Sequence, residues 1–194
     1  MKKLFSKFFF WGVLLLSSIS VARAHITPMV HLIKHNEAIK TLLAGGQSFF
    51  VKNVKIGQKE LGDIRSAAHW TPDLSSYRFF YGKDSAGNLI GDALLISVNS
   101  KHGPLTLAIG FTSQNLVTAV LVTDVGIEPL PWIRRLMNKK FLDRFTGKGE
   151  GQVTEVLKEV SKKELGSMAY YYAKVIAKGV SRALVLQRVL FELK

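Results

Sequence analysis

The chain contains no cysteine among its 194 residues. It therefore cannot form a disulfide, ligate an iron–sulfur cluster through thiolates or attach haem through thioether bonds. It also lacks a Gly-x-Ser-x-Gly nucleophile elbow, a P-loop and the glycine motif of dinucleotide-binding folds. These absences argue against a hydrolase of the elbow type, and any redox cofactor must be held by other residues.

A long apolar run is also missing. Residues 8–16 are apolar, but serines interrupt the run well before the roughly 20 residues that span a bilayer. Three lysines precede it, and Ala22, Arg23 and Ala24 end the small-residue stretch that follows. This layout is typical of a secretory signal peptide covering residues 1–24. We expect cleavage before His25 and an exported, periplasmic or otherwise extracytoplasmic protein; an uncleaved membrane anchor is the alternative.

Acidic residues are scarce, at 14 against 27 lysines and arginines. Residues 25–194 retain 23 basic and 14 acidic residues, a formal net charge of +9. Such a balance favours an acidic partner or an anionic membrane surface, with peripheral membrane contact, although an ordinary basic surface gives the same count. Export argues against nucleic acid. The 170 residues from 25 to 194 fit a single domain.

The hydrophobic pattern predicts an α+β fold. Helical spacing predicts helices at 36–43 and 59–68, and alternation predicts strands at 48–56, 77–83, 89–98, 105–111 and 116–123. Short turns between the last four strands favour an antiparallel meander. We therefore expect a mostly antiparallel sheet flanked by N-terminal helices and a long C-terminal helix.

The C-terminal part of the chain reads as a loop followed by helices. Prolines and glycines predict a loop at 128–151 with a short helix at 141–145, then an amphipathic helix or loosely helical linker at 153–160. A long helix at 168–190 would pack across the sheet. Lys174, Lys178 and Arg182 recur every fourth residue, which predicts one exposed basic stripe. The stripe would dock on an acidic partner or simply be a solvated face.

Two further features suggest ligands. His31 and His35 are four residues apart and follow His25, so a shared helical face would suit a metal pair; an unstructured N-terminal tail is the alternative. Gly166 and Ser167 precede the long helix, with lysines on either side. A helix N-terminus suits a phosphate because its N–H groups are unpaired, although serine is also an ordinary helix cap.

A series of short motifs carries a family resemblance. In chain order they are Tyr-Arg-Phe-Phe-Tyr-Gly at 77–82, Lys-His-Gly-Pro-Leu at 101–105, Glu-Pro at 128–129, Phe-Leu-Asp-Arg-Phe-Thr-Gly-Lys at 141–148 and Glu-Leu-Gly-Ser-Met-Ala-Tyr at 164–170. Together, over residues 77–190, they resemble the FMN-binding domain of exported flavoproteins. Members of that family include the flavin subunits of the Rnf and sodium-translocating quinone reductase complexes.

The resemblance implies a flavin site. In that family a Ser-Gly-Ala-Thr motif opens the last helix, and its threonine carries FMN; here Ser167, Met168, Ala169 and Tyr170 occupy the four positions, after Gly166. Because Tyr170 replaces threonine, FMN is expected to be non-covalent or lost. Glu128 and Leu130 would lie beside the isoalloxazine, and one tyrosine at 170–172 would stack on it.

The implied function is that of an extracytoplasmic FMN-binding electron-transfer protein or a membrane-associated redox-complex subunit. The alternative is a cofactor-free scaffold of the same fold that docks on a redox partner or a membrane complex. Neither reading assigns catalytic residues or a metal.

Overall fold

The structure is a computed structural model that describes residues 28–191. The expected signal segment, its cleavage site and His25 lie outside the described residues. Within the described part, none of the helices is long and apolar enough to cross a bilayer.

The fold is α+β, as the hydrophobic pattern predicts. In the described part of the chain, six antiparallel strands form one sheet: β1 (Met29–His31), β2 (Ser48–Lys55), β3 (Ser76–Lys83), β4 (Leu89–Ser100), β5 (Gly103–Phe111) and β6 (Val117–Gly126). Their order is β1-β6-β5-β4-β3-β2, so β2 to β6 form the expected meander. The short strand β1 adds to the far edge, where Val30 lies opposite Val125.

Within residues 28–191, six α-helices accompany the sheet. They are α1 (His35–Leu42), α2 (Gln58–Ala68), α3 (Leu130–Asn138), α4 (Val153–Lys158), α5 (Lys162–Leu165) and α6 (Ser167–Leu190). Two 3₁₀ turns, Leu142–Phe145 and Glu150–Gln152, lie between α3 and α4. Helix α6 is the predicted C-terminal helix; with 24 residues it is about 36 Å long.

The main core lies between α6 and one face of the sheet. Ile176, Val180 and Leu184 of α6 are fully buried, together with Leu94 and Leu107 of the sheet. On the opposite face, α1 buries a smaller cluster with members on β4 and β5: Ala38, Ile39, Leu42, Leu43, Ala93 and Ala108. Apolar side chains on both faces explain why β4 and β5 are buried along most of their length.

Helix α3 and strand β1 depart from the sequence prediction. Helix α3 occupies part of the segment predicted as a loop, and its Ile133 and Leu136 are fully buried. Pro129 is the N-cap residue and Pro131 lies in the first turn, where a helix tolerates the missing N–H group. Strand β1 was not predicted, because three residues are too few for a periodic pattern.

Candidate functional site

The segment after β6 is linked to α6 by a series of side chains. Glu128 Oε1 lies 2.6 Å from His102 Nδ1. The His102 ring lies 5.5 Å from that of Trp132, and Trp132 stacks on Tyr172 with ring centroids 5.6 Å apart and an interplanar angle of 13°. The two segments that the resemblance assigns to one ligand, around Glu128 and at the start of α6, therefore lie close together.

The three consecutive tyrosines of α6 have different surroundings. Tyr172 is fully buried, its hydroxyl lies 3.0 Å from Ser100 Oγ, and burial raises its pKa. Tyr171 accepts a hydrogen bond from the backbone N–H of Lys101. Tyr170 lies beneath the ammonium group of Lys174, 5.5 Å from the ring centroid. Tyr172 is thus part of the core, while Tyr170 and Tyr171 remain partly exposed.

The start of α6 is open to solvent. Gly166 has a φ of +81°, and no atom lies within 4 Å of the position that a Cβ would take there. Ser167 is exposed, Met168 is half-buried and Ala169 is buried. The first intrahelical bond runs from the Tyr170 N–H to the Gly166 carbonyl. Since Ser167, Met168 and Ala169 precede that bond, their N–H groups are the donors that a helix start leaves without helical partners.

Helix α3 packs against the main core and contacts the segment that precedes α6. Leu130, its first residue, is half-buried and packs against the main core. Arg135 of α3 donates a hydrogen bond from Nη2 to the Glu164 carbonyl at 3.1 Å, just ahead of α6. The position of the α6 start is thereby coupled to α3. The sequence analysis predicted a loop at residues 128–151. It therefore did not predict α3 or the contact between α3 and the segment before α6.

A second feature of α6 is a cationic cleft, which we define as the cavity that contains Lys174, Lys178 and Arg182 in its lining. Its volume is about 580 Å³. The other lining residues are Trp70, Asp73, Ser97, Val98, Asn99, Tyr171 and Val175. The three cations thus share one face of the helix, as their spacing predicts.

The cleft lies beside the part of β4 that does not pair with β3. The β3–β4 ladder runs from the Phe79–Leu94 pair to the Lys83–Leu89 pair, yet β4 continues to Ser100. Strand β3 pairs with β2 along its whole length, but its first residues pair with β2 alone. Beyond Leu94, β4 therefore has no ladder to β3, and its residues 97–99 line the cleft.

Arg182 departs from the predicted exposed stripe. Lys174 and Lys178 are exposed, whereas Arg182 is half-buried with its guanidinium 4.6 Å from the centroid of the Trp70 ring. Its Nε is buried and has no hydrogen-bond partner among the described residues. Desolvation lowers the pKa of Arg182, although the charge of Asp73 opposes that shift. The stripe is therefore one wall of a concave site.

His31 and His35 meet a carboxylate that the sequence analysis did not single out. His31 Nδ1 lies 2.5 Å from Oδ1 of Asp124, and His35 Nε2 lies 2.6 Å from Oδ2. His31 belongs to β1 and His35 begins α1, so the two do not share a helical face. Burial would raise the pKa of Asp124, but hydrogen bonds from His35, Thr123 and His31 together lower it. Asp124 thus fastens β1 and α1 to β6.

The cluster of His31, His35 and Asp124 does not have the arrangement of a metal site. Within residues 28–191, no group of three or more histidines and carboxylates is arranged to hold a metal ion. The sequence signal that would have found Asp124 is an acid within the otherwise apolar run of β6, since a buried charge requires partners.

No family model matches the chain, and no curated protein is detectably similar to it.

Proposed function

We propose that the chain is an exported, extracytoplasmic FMN-binding electron-transfer protein, or a subunit of a redox complex, that holds FMN without a covalent bond. One observation carries the proposal: the segment around Glu128 and the start of α6 are joined through His102, Trp132 and Tyr172. These are the two segments that the motif order assigns to the flavin, and they are distant in sequence.

The residues present fit a non-covalently held FMN. Ser167 and the N–H groups of the first turn of α6 are donors suited to a phosphate, and Gly166 leaves their approach open. Glu128 and Leu130 would border the ring, and the partly exposed Tyr170 offers an aromatic face. When bound, FMN supplies one- and two-electron transfer, while the protein sets its position and potential.

A second candidate is a cofactor-free scaffold of the same fold that docks on a redox partner or membrane complex. The observation that favours it is the use of Tyr172 in the core, stacked on Trp132 and bonded to Ser100. Met168 adds bulk where backbone would approach a phosphate, a role for which glycine is suited. In this case the basic surface provides the docking site.

The absorbance spectrum and intact mass of protein purified from its native compartment separate the two candidates. For an FMN protein we expect a flavin spectrum, with the flavin released on denaturation and a mass equal to that of the polypeptide alone. Release follows because Tyr170 stands where the family has its threonine. A mass larger by one FMN would contradict the non-covalent mode, and colourless protein that does not take up FMN would favour the scaffold.

A pair of serine variants tests the location. Ser167→Asp places a carboxylate at the start of α6, where like charge should repel the phosphate and weaken FMN binding. Ser161→Asp is the matched control, because Ser161 caps α5 through the Glu164 N–H and aspartate caps equally well. Equal FMN affinity in both variants would place the flavin elsewhere.

A further inference from the structure

We propose that the cationic cleft binds a small ligand that carries a phosphate dianion, at a site separate from the start of α6. Three cations converge on one cavity there, and no carboxylate lies within ion-pair distance of any of them in residues 28–191. The lining of the cleft does not include Glu128, Leu130, Ser167 or Tyr170, although Lys174 contacts the Tyr170 ring.

The spacing of the cations suits a multiply charged anion. Lys174, Lys178 and Arg182 follow one another at intervals of four residues, so their Cα atoms span about 12 Å along α6. Like charges at this interval repel one another. A dianion between them relieves the repulsion and accepts several charge-assisted hydrogen bonds.

Arg182 provides the second observation. Its guanidinium is fixed against Trp70, and its buried Nε has no acceptor among the described residues. A buried donor that lacks an acceptor is costly, and more so on a charged group. Asp73 lines the same cleft but forms no ion pair with Arg182. An anion in the cleft would supply the missing compensation.

The shape of the cleft favours a small molecule over a flat protein surface. A volume of about 580 Å³ lies within the usual range of small-molecule sites, about 300–1,000 Å³. The wall opposite α6 is the part of β4 without a ladder to β3, at residues 97–99. The backbone of these residues offers polar contacts for the rest of an organic phosphate.

Calorimetric titration of the purified protein with inorganic phosphate and pyrophosphate tests the site, with or without flavin bound. We expect saturable binding with a dissociation constant of about 1 mM or lower, tighter for pyrophosphate. Lys178→Gln and Arg182→Gln should each weaken it about tenfold, because each removes a charge-assisted contact. Lys158→Gln is the matched control: Lys158 is exposed and lies outside both the cleft and the start of α6. The absence of saturable binding, or equal weakening by all three variants, would overturn the proposal.

Two further measurements test whether the variants fold and whether the phosphate belongs to a lipid or to a soluble ligand. Circular dichroism verifies folding, and Arg182→Lys retains a charge if Arg182→Gln fails to fold. Co-sedimentation with phosphatidic acid vesicles identifies the source of the phosphate. Sedimentation that Lys178→Gln abolishes and Lys158→Gln does not would identify a lipid headgroup; pyrophosphate binding without sedimentation would identify a soluble ligand. Both results support a phosphate site in the cleft, and both are independent of flavin content.

Discussion

Asp92 shows how a single buried acid can set the pH dependence of the whole fold. It lies on β4 and is fully buried. Its Oδ1 accepts a hydrogen bond from Gln187 Nε2 at 3.2 Å, while Oδ2 has no partner among the described residues. Burial raises the pKa of Asp92 to about 7, and the bond from Gln187 opposes the shift only in part.

The raised pKa predicts a loss of stability as the pH rises. Between about pH 4 and pH 7 the unfolded chain ionises Asp92 while the folded protein keeps its proton, so the free energy of unfolding falls across that window. The difference between a pKa of about 7 and the ordinary aspartate value amounts to on the order of 4 kcal/mol, and roughly two thirds of it falls between pH 5 and pH 8. Asp92→Asn should remove this dependence, which urea unfolding at about pH 5 and pH 8 would measure.

The control for this experiment is Asp63→Asn, since Asp63 is exposed on α2. It should keep the wild-type pH dependence. The comparison uses the difference between the two pH values, because the asparagine also brings an NH₂ group into the buried site. If wild type and Asp92→Asn lose the same stability between the two pH values, the acid is not protonated in the fold.

At the scale of elements, two helical glycines should respond to alanine in opposite directions. Gly179 lies where α6 crosses the sheet, and a Cβ there would come within 2.7 Å of Leu107 Cδ1 and 2.9 Å of Val98 Cγ2. Overpacking typically costs about 1–3 kcal/mol, which outweighs the roughly 1 kcal/mol that alanine gains in helix propensity. Gly179→Ala should therefore lower the free energy of unfolding.

Gly62 in α2 is the matched position. No atom lies within 4 Å of a Cβ added there, and the residue is exposed. Gly62→Ala should therefore raise the free energy of unfolding by about 0.5–1 kcal/mol through propensity alone. Denaturant unfolding of both variants checks the pair. Stabilisation by Gly179→Ala would mean that α6 does not approach the sheet closely.

The elements that the sequence predicted well are those with a long local pattern. In β3, buried Tyr77 and Phe79 alternate with exposed Ser76 and Arg78. This two-residue alternation predicts a strand from the local sequence alone. Helix α3 was missed because its prolines were interpreted as turn residues, although Ile133 and Leu136 have helical spacing. Strand β1 depends on pairing with β6, which no local pattern encodes.

For the molecule as a whole, the cationic cleft combines segments that are far apart in sequence. Residues 70–73, 97–99 and 171–182 meet there. The four-residue spacing predicted that the three cations share one face of α6. The position of Trp70 and the end of the β3–β4 ladder depend on tertiary packing, which this spacing does not encode. The same limit hid Asp124, whose histidine partners lie about 90 residues away.

The excess of positive charge should make the stability of the protein depend on ionic strength. Residues 25–194 carry a formal net charge of +9, and a large net charge destabilises a compact state through self-repulsion. The lysine and arginine ion pairs of the described residues lie at the surface, where each contributes little to stability. Screening by salt should therefore remove less attraction from these pairs than it removes repulsion from the net charge. We therefore expect added salt to stabilise the fold.

Thermal unfolding in about 10 mM and about 100 mM NaCl tests this, because the Debye length falls from about 30 Å to about 10 Å over that range. We expect the midpoint to rise by about 2–4 °C, which corresponds to about 1 kcal/mol for a chain of this size. The variant Lys158→Gln/Lys162→Gln/Lys163→Gln removes three exposed charges outside the cleft and should respond less. A midpoint that falls with salt would mean that attractive ion pairs, not repulsion, dominate the electrostatics of the fold.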